Sequence, residues 1–282
     1  MTVLVGCHVS IAGTIDTAID RAKALGCHTC QIFTRNPRQW RMRALSPKIV
    51  NKFITKAKTS AMAPIFAHMP YLPNLASPRD LVYWKSIETL ETELRRCSLL
   101  QIPYLVTHLG SHLGSGFELG LERIIYSINT VLETSDPKVM LLLENTAGTR
   151  NSMGSTFLNI QNIIERVHHP ERIGVCLDTA HAFAAGYDIR TKRGVVKVIE
   201  EIDRVIGLSK VKVLHLNDSH EDYNSRIDHH EHIGLGKIGV TGFRHILTSQ
   251  LGTLPLILET PQDNRRTDYD NLQIVIELAK RY

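Results

Sequence analysis

Short apolar runs rich in β-branched residues alternate with longer amphipathic stretches from one end of the chain to the other. Runs that are almost continuously apolar are typical of strands buried on both faces of a parallel sheet. The predicted strands are residues 4–9, 29–33, 64–68, 104–108, 139–144, 173–178, 211–216 and 254–259. The amphipathic stretches predict helices over residues 14–25, 47–60, 80–100, 119–134, 156–167 and 195–206.

Eight strands, each followed by room for a helix, fit one (β/α)8 TIM barrel over residues 1–282, at about 35 residues per unit. No Pro-, Gly- or Ser-rich linker divides the chain. A doubly wound open sheet is the alternative, but its dinucleotide-binding form carries G-x-G-x-x-G after the first strand, and Gly6 stands alone there. The sequence therefore predicts a single-domain α/β barrel.

Composition narrows the class of protein. The chain is 43% apolar and 22% charged, which is ordinary for a folded protein and excludes a disordered one. No apolar run approaches the roughly 20 residues that span a bilayer, and the N-terminus has no basic secretory signal. Five cysteines do not make a disulfide framework. We therefore expect a cytoplasmic protein with no membrane partner.

Histidine is the unusual residue, with 14 copies. Metal-type side chains stand at the ends of predicted strands three to eight, in the order His68, His108, Glu144, Asp178, His215 and Glu259. In a barrel these strand ends meet at the C-terminal mouth, where active sites are built. Three more lie in the loops just beyond, namely His181, Asp228 and His230.

A single histidine at a strand end is more often a hydrogen-bonded structural residue than a ligand, and a lone carboxylate often caps a helix. Six at one topological position are harder to explain that way. Buried carboxylates and imidazoles at this density would repel or stay unsatisfied without cations between them. Nine nitrogen and oxygen ligands exceed the needs of one tetrahedral zinc, so the pattern predicts two or three divalent ions.

Two predicted loops beside this rim suggest a nucleic-acid ligand. Residues 34–43 carry four arginines around Trp40 and no acid, which suits a phosphate backbone, although a solvated basic face is the ordinary alternative. Residues 69–74 hold Tyr71 and Leu72 between prolines, and rigid side chains of this kind can wedge into a base stack, although the loop could simply pack on itself. The common position of the two loops, and the net charge of +5, favour nucleic acid.

These motifs together resemble one family. The chain is similar to endonuclease IV, the zinc-dependent apurinic/apyrimidinic (AP) endonucleases of base excision repair. The resemblance spans nearly the whole chain and is most specific at residues 178–188, D-T-A-H-A-F-A-A-G-Y-D. Further matching segments are residues 6–10, 36–40, 108–112, 143–148, 215–219, 228–236 and 256–260.

The resemblance implies a barrel with three zinc ions that cuts duplex DNA on the 5′ side of an abasic site, leaving a 3′-hydroxyl and a 5′-deoxyribose phosphate. The implied zinc ligands are His68, His108 and Glu144 for the first ion, Glu144, Asp178, His215 and Glu259 for the second, and His181, Asp228 and His230 for the third. Glu144 and Glu259 are the implied catalytic carboxylates, with Glu259 orienting the attacking water. Arg38, Tyr71 and Leu72 match residues that open the duplex at the lesion. Manganese or iron also suit such ligands, and a monomer is the default for a protein acting on a long duplex.

One position departs from the family pattern. The family usually has Asp-Arg-His in the loop after the seventh strand, and this chain has Asp228-His229-His230. The Asp-x-His spacing assigns the ligand role to His230.

Two other functions stay open: a metal-dependent sugar isomerase or epimerase on the same barrel, and a damage-binding protein whose metals only hold the barrel mouth together. The isomerase does not explain nine ligands or the arginine–tryptophan loop.

Overall fold

The computed structural model describes residues 3–280. The barrel strands are β1 (Val5–Cys7), β2 (Cys30–Phe33), β3 (Ile65–His68), β4 (Tyr104–Thr107), β5 (Met140–Glu144), β6 (Ile173–Asp178), β7 (Val211–His215) and β10 (Leu256–Leu258). Their order is β1-β10-β7-β6-β5-β4-β3-β2, and every paired neighbour is parallel. A separate antiparallel pair, β8 (Asp218–Ser219) and β9 (His230–Glu231), follows β7. The predicted single-domain TIM barrel is confirmed.

The barrel closes between β1 and β2. The backbone N–H of Val9 donates to the carbonyl of Gln31 at 2.8 Å, and that of His28 donates to Val5 at 2.9 Å. Gly6 lies at this seam, where a Cβ atom would stand 1.7 Å from the carbonyl oxygen of Thr29. The isolated glycine of the first strand is therefore required by close backbone approach.

Helices lie between successive barrel strands. They are α1 (Thr17–Leu25), α2 (Pro47–Thr59), α3 (Asp80–Leu100), α4 (Phe117–Leu132), α5 (Phe157–Arg166), α6 (Thr179–Ala185), α7 (Lys192–Val205), α8 (Gly239–Leu247) and α9 (Asp268–Lys280). Hydroxyl side chains preceding three of them accept hydrogen bonds from first-turn backbone N–H groups and so fix where those helices begin: Ser46, Thr156 and Thr191. No helix among residues 3–280 combines the length and apolar character that crossing a bilayer requires.

The differences from the predicted elements have local causes. Five strands are one residue shorter than predicted, β6 has the predicted bounds, and β1 and β10 are each three residues shorter, because barrel pairing stops before the apolar run does. The sequence pattern does not delimit α6, since its side chains are buried on every side and leave no polar stripe. It also does not delimit α8, whose first turns contain two glycines.

Two cores hold the barrel together. A large one lies between the strands and the surrounding helices. A small one fills the barrel interior with the fully buried side chains of Phe66, Val106, Leu142, Cys176, Val213 and Ile257. Because the interior is packed, polar side chains gather only at its ends, and the C-terminal mouth is the end that the strand-end residues reach.

Candidate metal centre

Nine side chains with nitrogen or oxygen donors meet at the C-terminal mouth of the barrel. Six come from or directly follow barrel strands: His68 from β3, His108 after β4, Glu144 from β5, Asp178 from β6, His215 from β7 and Glu259 after β10. Three come from elements beyond the strands: His181 on α6, Asp228 before β9, and His230 on β9. The structure thus brings together all nine residues that the sequence singles out.

Glu144 lies at the centre of this set and is fully buried. Its Oε2 lies 3.1 Å from Nε2 of both His68 and His108. Its Oε1 lies 3.1 Å from Nδ1 of His215. One carboxylate therefore joins two groups of donors, His68–His108–Glu144 and Glu144–Asp178–His215–Glu259, and within each group the donor atoms lie within 4.8 Å of one another.

A third group adjoins the second. Nε2 of His181 lies 3.0 Å from Oδ1 of Asp228, and Nε2 of His230 lies 3.6 Å from the same oxygen. Nε2 of His230 is also 3.6 Å from Oδ2 of Asp178. This buried nitrogen has no hydrogen-bond partner among the residues described. An orphaned buried imidazole nitrogen that faces two carboxylates is what a cation would satisfy.

Backbone carbonyls fix the tautomer of three imidazoles. In His68, His181 and His230, Nδ1 lies 2.7–3.0 Å from a carbonyl oxygen, which only an N–H can satisfy. In a neutral ring Nε2 is then the nitrogen that carries the lone pair, and in all three rings Nε2 faces a carboxylate oxygen. Either a second proton on the ring or a metal ion must therefore lie between Nε2 and the carboxylate, and metal-binding histidines are commonly held by such a far-side hydrogen bond.

Gln31 fixes the fourth imidazole. Its amide nitrogen donates to Oε1 of Glu259 at 2.8 Å, so its amide oxygen accepts from Nε2 of His215, also at 2.8 Å. The Nδ1 lone pair of His215 then faces Oε1 of Glu144 at 3.1 Å and Oε2 of Glu259 at 3.2 Å. Here too a proton on Nδ1 or a metal ion must lie between the ring and the carboxylates.

The charges of these groups shift one another's pKa. Burial lowers the pKa of His181, but the carboxylates of Asp178 and Asp228 outweigh it and hold that pKa well above the ordinary value. Burial raises the pKa of Glu144, but His108 and His215 hold that pKa well below the ordinary value. The pocket therefore favours positive charge among its ionised carboxylates, supplied by protons on the imidazoles or by bound divalent cations.

The donor set fits divalent metal ions. Imidazole nitrogens and carboxylate oxygens suit zinc, manganese and iron. Cys176 is the thiol near Glu144 and His215. Burial raises the pKa of this thiol to about 12, so it stays protonated within the barrel core. Nitrogen and oxygen donors therefore form the centre.

Comparison with known proteins places the chain in a family. The model of the xylose isomerase-like TIM barrel family matches residues 19–281. Over 279 residues the chain is 55% identical to a protein of Methanoculleus marisnigri named probable endonuclease 4, across 98% of this chain and 99% of the relative. Its fold matches the crystal structure of endonuclease IV from Thermus thermophilus with a TM-score of 0.88 and 36% identity, over 99% of each chain. The chain belongs to the endonuclease IV family.

A sugar-enzyme barrel is also similar to this member of the endonuclease IV family. A D-tagatose 3-epimerase-like protein matches with a TM-score of 0.74 over 99% of this chain and 97% of that chain. The identity is 18%, so the likeness shows a common fold alone.

Three side-chain amides hold the donor residues of the centre in position. They were not identified from the sequence. Gln31 holds His215 and Glu259. Asn217 donates to Oδ2 of Asp178 and accepts from the backbone N–H of Glu259, each at 2.7 Å. The Asn145 side chain accepts from the backbone N–H of Asp178 at 2.7 Å. A glutamine inside an otherwise apolar strand was the available signal for Gln31.

His8 touches the centre from the barrel seam. Its Nδ1 lies 3.3 Å from Oε1 of Glu259 and 3.0 Å from the amide nitrogen of Gln31. Its ring packs on Phe33, with the centroids 4.3 Å apart. These contacts put His8 beside Glu259, outside the three groups of donors.

Two adjoining clefts, of about 340 Å³ and about 310 Å³, open on the centre. Tyr71 lines both and its side chain is 66% exposed; Leu72 lines the larger and is 37% exposed. The backbone N–H of Tyr71 donates to the carbonyl of Pro37 at 3.2 Å, which ties this loop to the one carrying exposed Arg38. Tyr71 and Leu72 therefore line the clefts at the centre, and Arg38 lies on the loop that adjoins theirs.

The structure corrects one part of the arginine loop. Arg35 is buried and its Nε lies 3.2 Å from Oε1 of the fully buried Glu93. It therefore supports the loop from below and is not part of a phosphate-binding surface. Arg38, Arg41 and Arg43 are the exposed arginines of this segment.

Proposed function

We propose that this chain is an AP endonuclease, a metal-dependent hydrolase that cuts the phosphodiester 5′ to an abasic site in duplex DNA and leaves a 3′-hydroxyl and a 5′-deoxyribose phosphate. The observation that carries the proposal is the orientation of His68, His181 and His230, whose Nδ1–H groups donate to carbonyls while their Nε2 atoms face carboxylates. The endonuclease names of the relatives support DNA as the substrate.

Three groups of side chains would hold three zinc ions. The groups are His68, His108 and Glu144; Glu144, Asp178, His215 and Glu259; and His181, Asp228 and His230. Glu144 belongs to the first and second groups because its two oxygens contact histidines of both. Manganese and iron bind the same kinds of donor. We propose zinc as the metal that occupies the three sites.

Bound divalent ions lower the pKa of coordinated water toward about 7 and stabilise negative charge on phosphate and leaving-group oxygens. The chain supplies position and proton control. Glu144 spaces the histidines around it. Glu259 lines the smaller cleft, and its Oε1 is held by the amide of Gln31. From there its carboxylate can accept a hydrogen bond from an attacking water and orient it, and Glu144 and Glu259 are therefore the proposed catalytic carboxylates.

The exposed loops supply the DNA surface. Tyr71 and Leu72 present apolar side chains next to the cleft, where they can fill the space left when a nucleotide leaves the stack. Arg38 on the neighbouring loop can contact backbone phosphates. An abasic nucleotide has no base to unstack, so turning it out of the helix costs less than for an intact nucleotide. Lesion choice follows from that difference.

One chain is enough for this activity. All nine donor side chains come from the same barrel, and so do both proposed DNA loops. We therefore infer that the protein acts as a monomer on duplex DNA.

A sugar isomerase or epimerase is the second candidate, because such enzymes use this barrel with one or two metal ions. It leaves the His181–Asp228–His230 group without a purpose and does not explain the exposed Tyr71. A non-catalytic damage-binding protein is the third candidate. Structural zinc sites are usually closed and rich in cysteine, whereas this centre opens on two clefts.

The test uses a duplex carrying one tetrahydrofuran abasic analogue and zinc-loaded protein, without added magnesium. The analogue cannot undergo β-elimination, so hydrolysis alone can cut it. We expect a nick immediately 5′ to the analogue with a 3′-hydroxyl end, absent from the intact duplex and after zinc removal. End groups are mapped on a sequencing gel.

Each other result points to a different function. Tight binding of the analogue duplex without a nick, in protein whose zinc content is verified, would leave the damage-binding function. Neither binding nor cutting, together with turnover of a ketose, would identify the sugar isomerase.

A further inference from the structure

A second cluster of donors lies on the surface, outside the nine residues of the centre. The antiparallel pair of β8 and β9 continues one step past its ends, where the backbone N–H of His220 donates to the carbonyl of His229 at 3.0 Å. This pairing sets the two histidines opposite each other. Their rings stack with centroids 4.4 Å apart.

One carboxylate oxygen faces both rings. Oε1 of Glu221 lies 3.0 Å from Nδ1 of His220 and 3.2 Å from Nδ1 of His229. The three residues offer donor atoms that lie within 4.8 Å of one another. Two ligands on one zinc ion are at most about 4.2 Å apart, so small side-chain rotations bring these donors into range. The side chains of both histidines are more than half exposed, so these rotations meet no packed neighbour on the solvent side.

Other exposed histidines lack this convergence. Nδ1 of His168 lies 3.3 Å from Oε1 of Glu133, and Nδ1 of the neighbouring His169 lies 3.2 Å from Oε1 of Glu171. Each of these rings has its own carboxylate, and the four residues form no common donor group. A shared carboxylate between two cross-strand imidazoles therefore distinguishes the His220–Glu221–His229 cluster.

We propose that His220, Glu221 and His229 form a peripheral binding site for a divalent transition-metal ion of the zinc class. Three protein ligands leave at least one coordination position open to water. The ion would add positive charge at residues 220 and 229, beside the antiparallel pair of β8 and β9. The site does not depend on the proposed DNA cleavage, because its ligands are separate from the nine residues of the centre.

Equilibrium dialysis against micromolar zinc, followed by metal analysis, tests the site. We expect the wild-type protein to hold one more zinc ion per chain than the double variant His220→Asn/His229→Asn. The variant His229→Arg is expected to lose the same single ion. The matched control His168→Asn/His169→Asn alters two exposed histidines and is expected to keep the wild-type zinc content.

A second measurement reads the ligands directly. In protein labelled with 15N-histidine, zinc is expected to shift the ring nitrogens of His220 and His229 and to leave those of His168 and His169 unchanged. Equal zinc content in the wild type and the double variant, with the His220 and His229 signals unmoved by zinc, would overturn the proposal and leave a hydrogen-bonded trio. Failure of the main centre would instead lower the zinc content of all these proteins alike.

Discussion

Gln31 shows how one side chain sets the chemistry of its neighbours. It donates to Glu259 and accepts from His215, so the second nitrogen of that imidazole is the one that faces the carboxylates. The carbonyls of Met69, Asn145 and Glu259 orient three other rings in the same way. The orientation of these candidate ligands therefore depends on groups outside the nine donor side chains.

Glu259 has two proposed roles, as a metal ligand and as the group that orients the attacking water, and measuring metal content beside the rate separates them. The variant Glu259→Gln keeps the size of the side chain and removes its charge and basic oxygen. We expect the single-turnover rate of incision at the abasic analogue to fall by about 10²- to 10⁴-fold, the range for a lost acid–base group, with duplex affinity little changed. Quenched-flow incision and fluorescence anisotropy measure the two quantities.

The matched control for that experiment is Glu277→Gln, which changes an exposed glutamate on α9 outside the nine donor residues, and this variant should cut at the wild-type rate. Wild-type incision by Glu259→Gln protein with unchanged metal content would remove Glu259 from the mechanism.

Residue type and topological position predict the ligand set, because a barrel brings its strand ends together whatever the helices do. They do not predict Gln31, Asn145 or Asn217, since an amide is ordinary in any loop and its partners depend on where the side chain points. The prediction that Arg35 belongs to a phosphate-binding surface was wrong for a related reason. Its partner Glu93 lies on α3, and no local pattern in residues 34–43 reveals that pairing.

Among the secondary-structure elements, Asp178 connects β6 to α6. It ends the strand, and its Oδ1 accepts from the backbone N–H of His181 at 2.7 Å as the cap of the helix. One carboxylate thus fixes the position of His181 and still presents its second oxygen to the centre. Residues 178–181 therefore supply a strand end, a helix cap and a first-turn imidazole of the centre within four positions.

Asp218 on β8 organises the segment that carries His230. Its two oxygens accept from the backbone N–H groups of Ser219, Gly234, Gly236 and Ile238 at 2.8–3.0 Å. The side chain is fully buried, so these bonds have no competition from water. This one carboxylate therefore sets the path of the chain from β9 into α8.

The variant Asp218→Asn places an amide group among backbone donors. We expect it to lower the free energy of unfolding by about 2–3 kcal/mol, the range for hydrogen bonds to a charged group. Urea unfolding followed by circular dichroism measures the loss. Asp222→Asn is the matched control: Asp222 is exposed, and the change should cost less than about 0.5 kcal/mol. Equal stability of the two variants would show that the charge of the Asp218 carboxylate contributes nothing to the free energy of unfolding.

Across the whole molecule, the alternation of apolar runs and amphipathic stretches was enough to predict the barrel, because eight buried parallel strands have few other arrangements. The small antiparallel pair of β8 and β9 was not predictable, since two-residue strands leave no periodic pattern. The closing seam at Gly6 was also hidden, because it depends on contact between segments that the pattern treats separately.

The centre connects six barrel strands, so metal binding should stabilise the entire fold. An ion bound at 1,000 times its Kd contributes about 4 kcal/mol. For a domain of this size we expect zinc loading to raise Tm by at least about 8 °C over protein stripped with a chelator. Differential scanning calorimetry at one scan rate measures the shift. An equal Tm with zinc, after its removal and after its return would mean that hydrogen bonds alone hold the barrel mouth together.

The central claim is that imidazole lone pairs and carboxylates at the barrel mouth are arranged around metal ions. A crystal of zinc-loaded protein, with diffraction data collected on both sides of the zinc absorption edge, tests it directly. The account predicts three anomalous peaks at the mouth: one among His68, His108 and Glu144, one among Glu144, Asp178, His215 and Glu259, and one among His181, Asp228 and His230. No anomalous peak there, with the histidines in direct hydrogen bonds to the carboxylates, would contradict it.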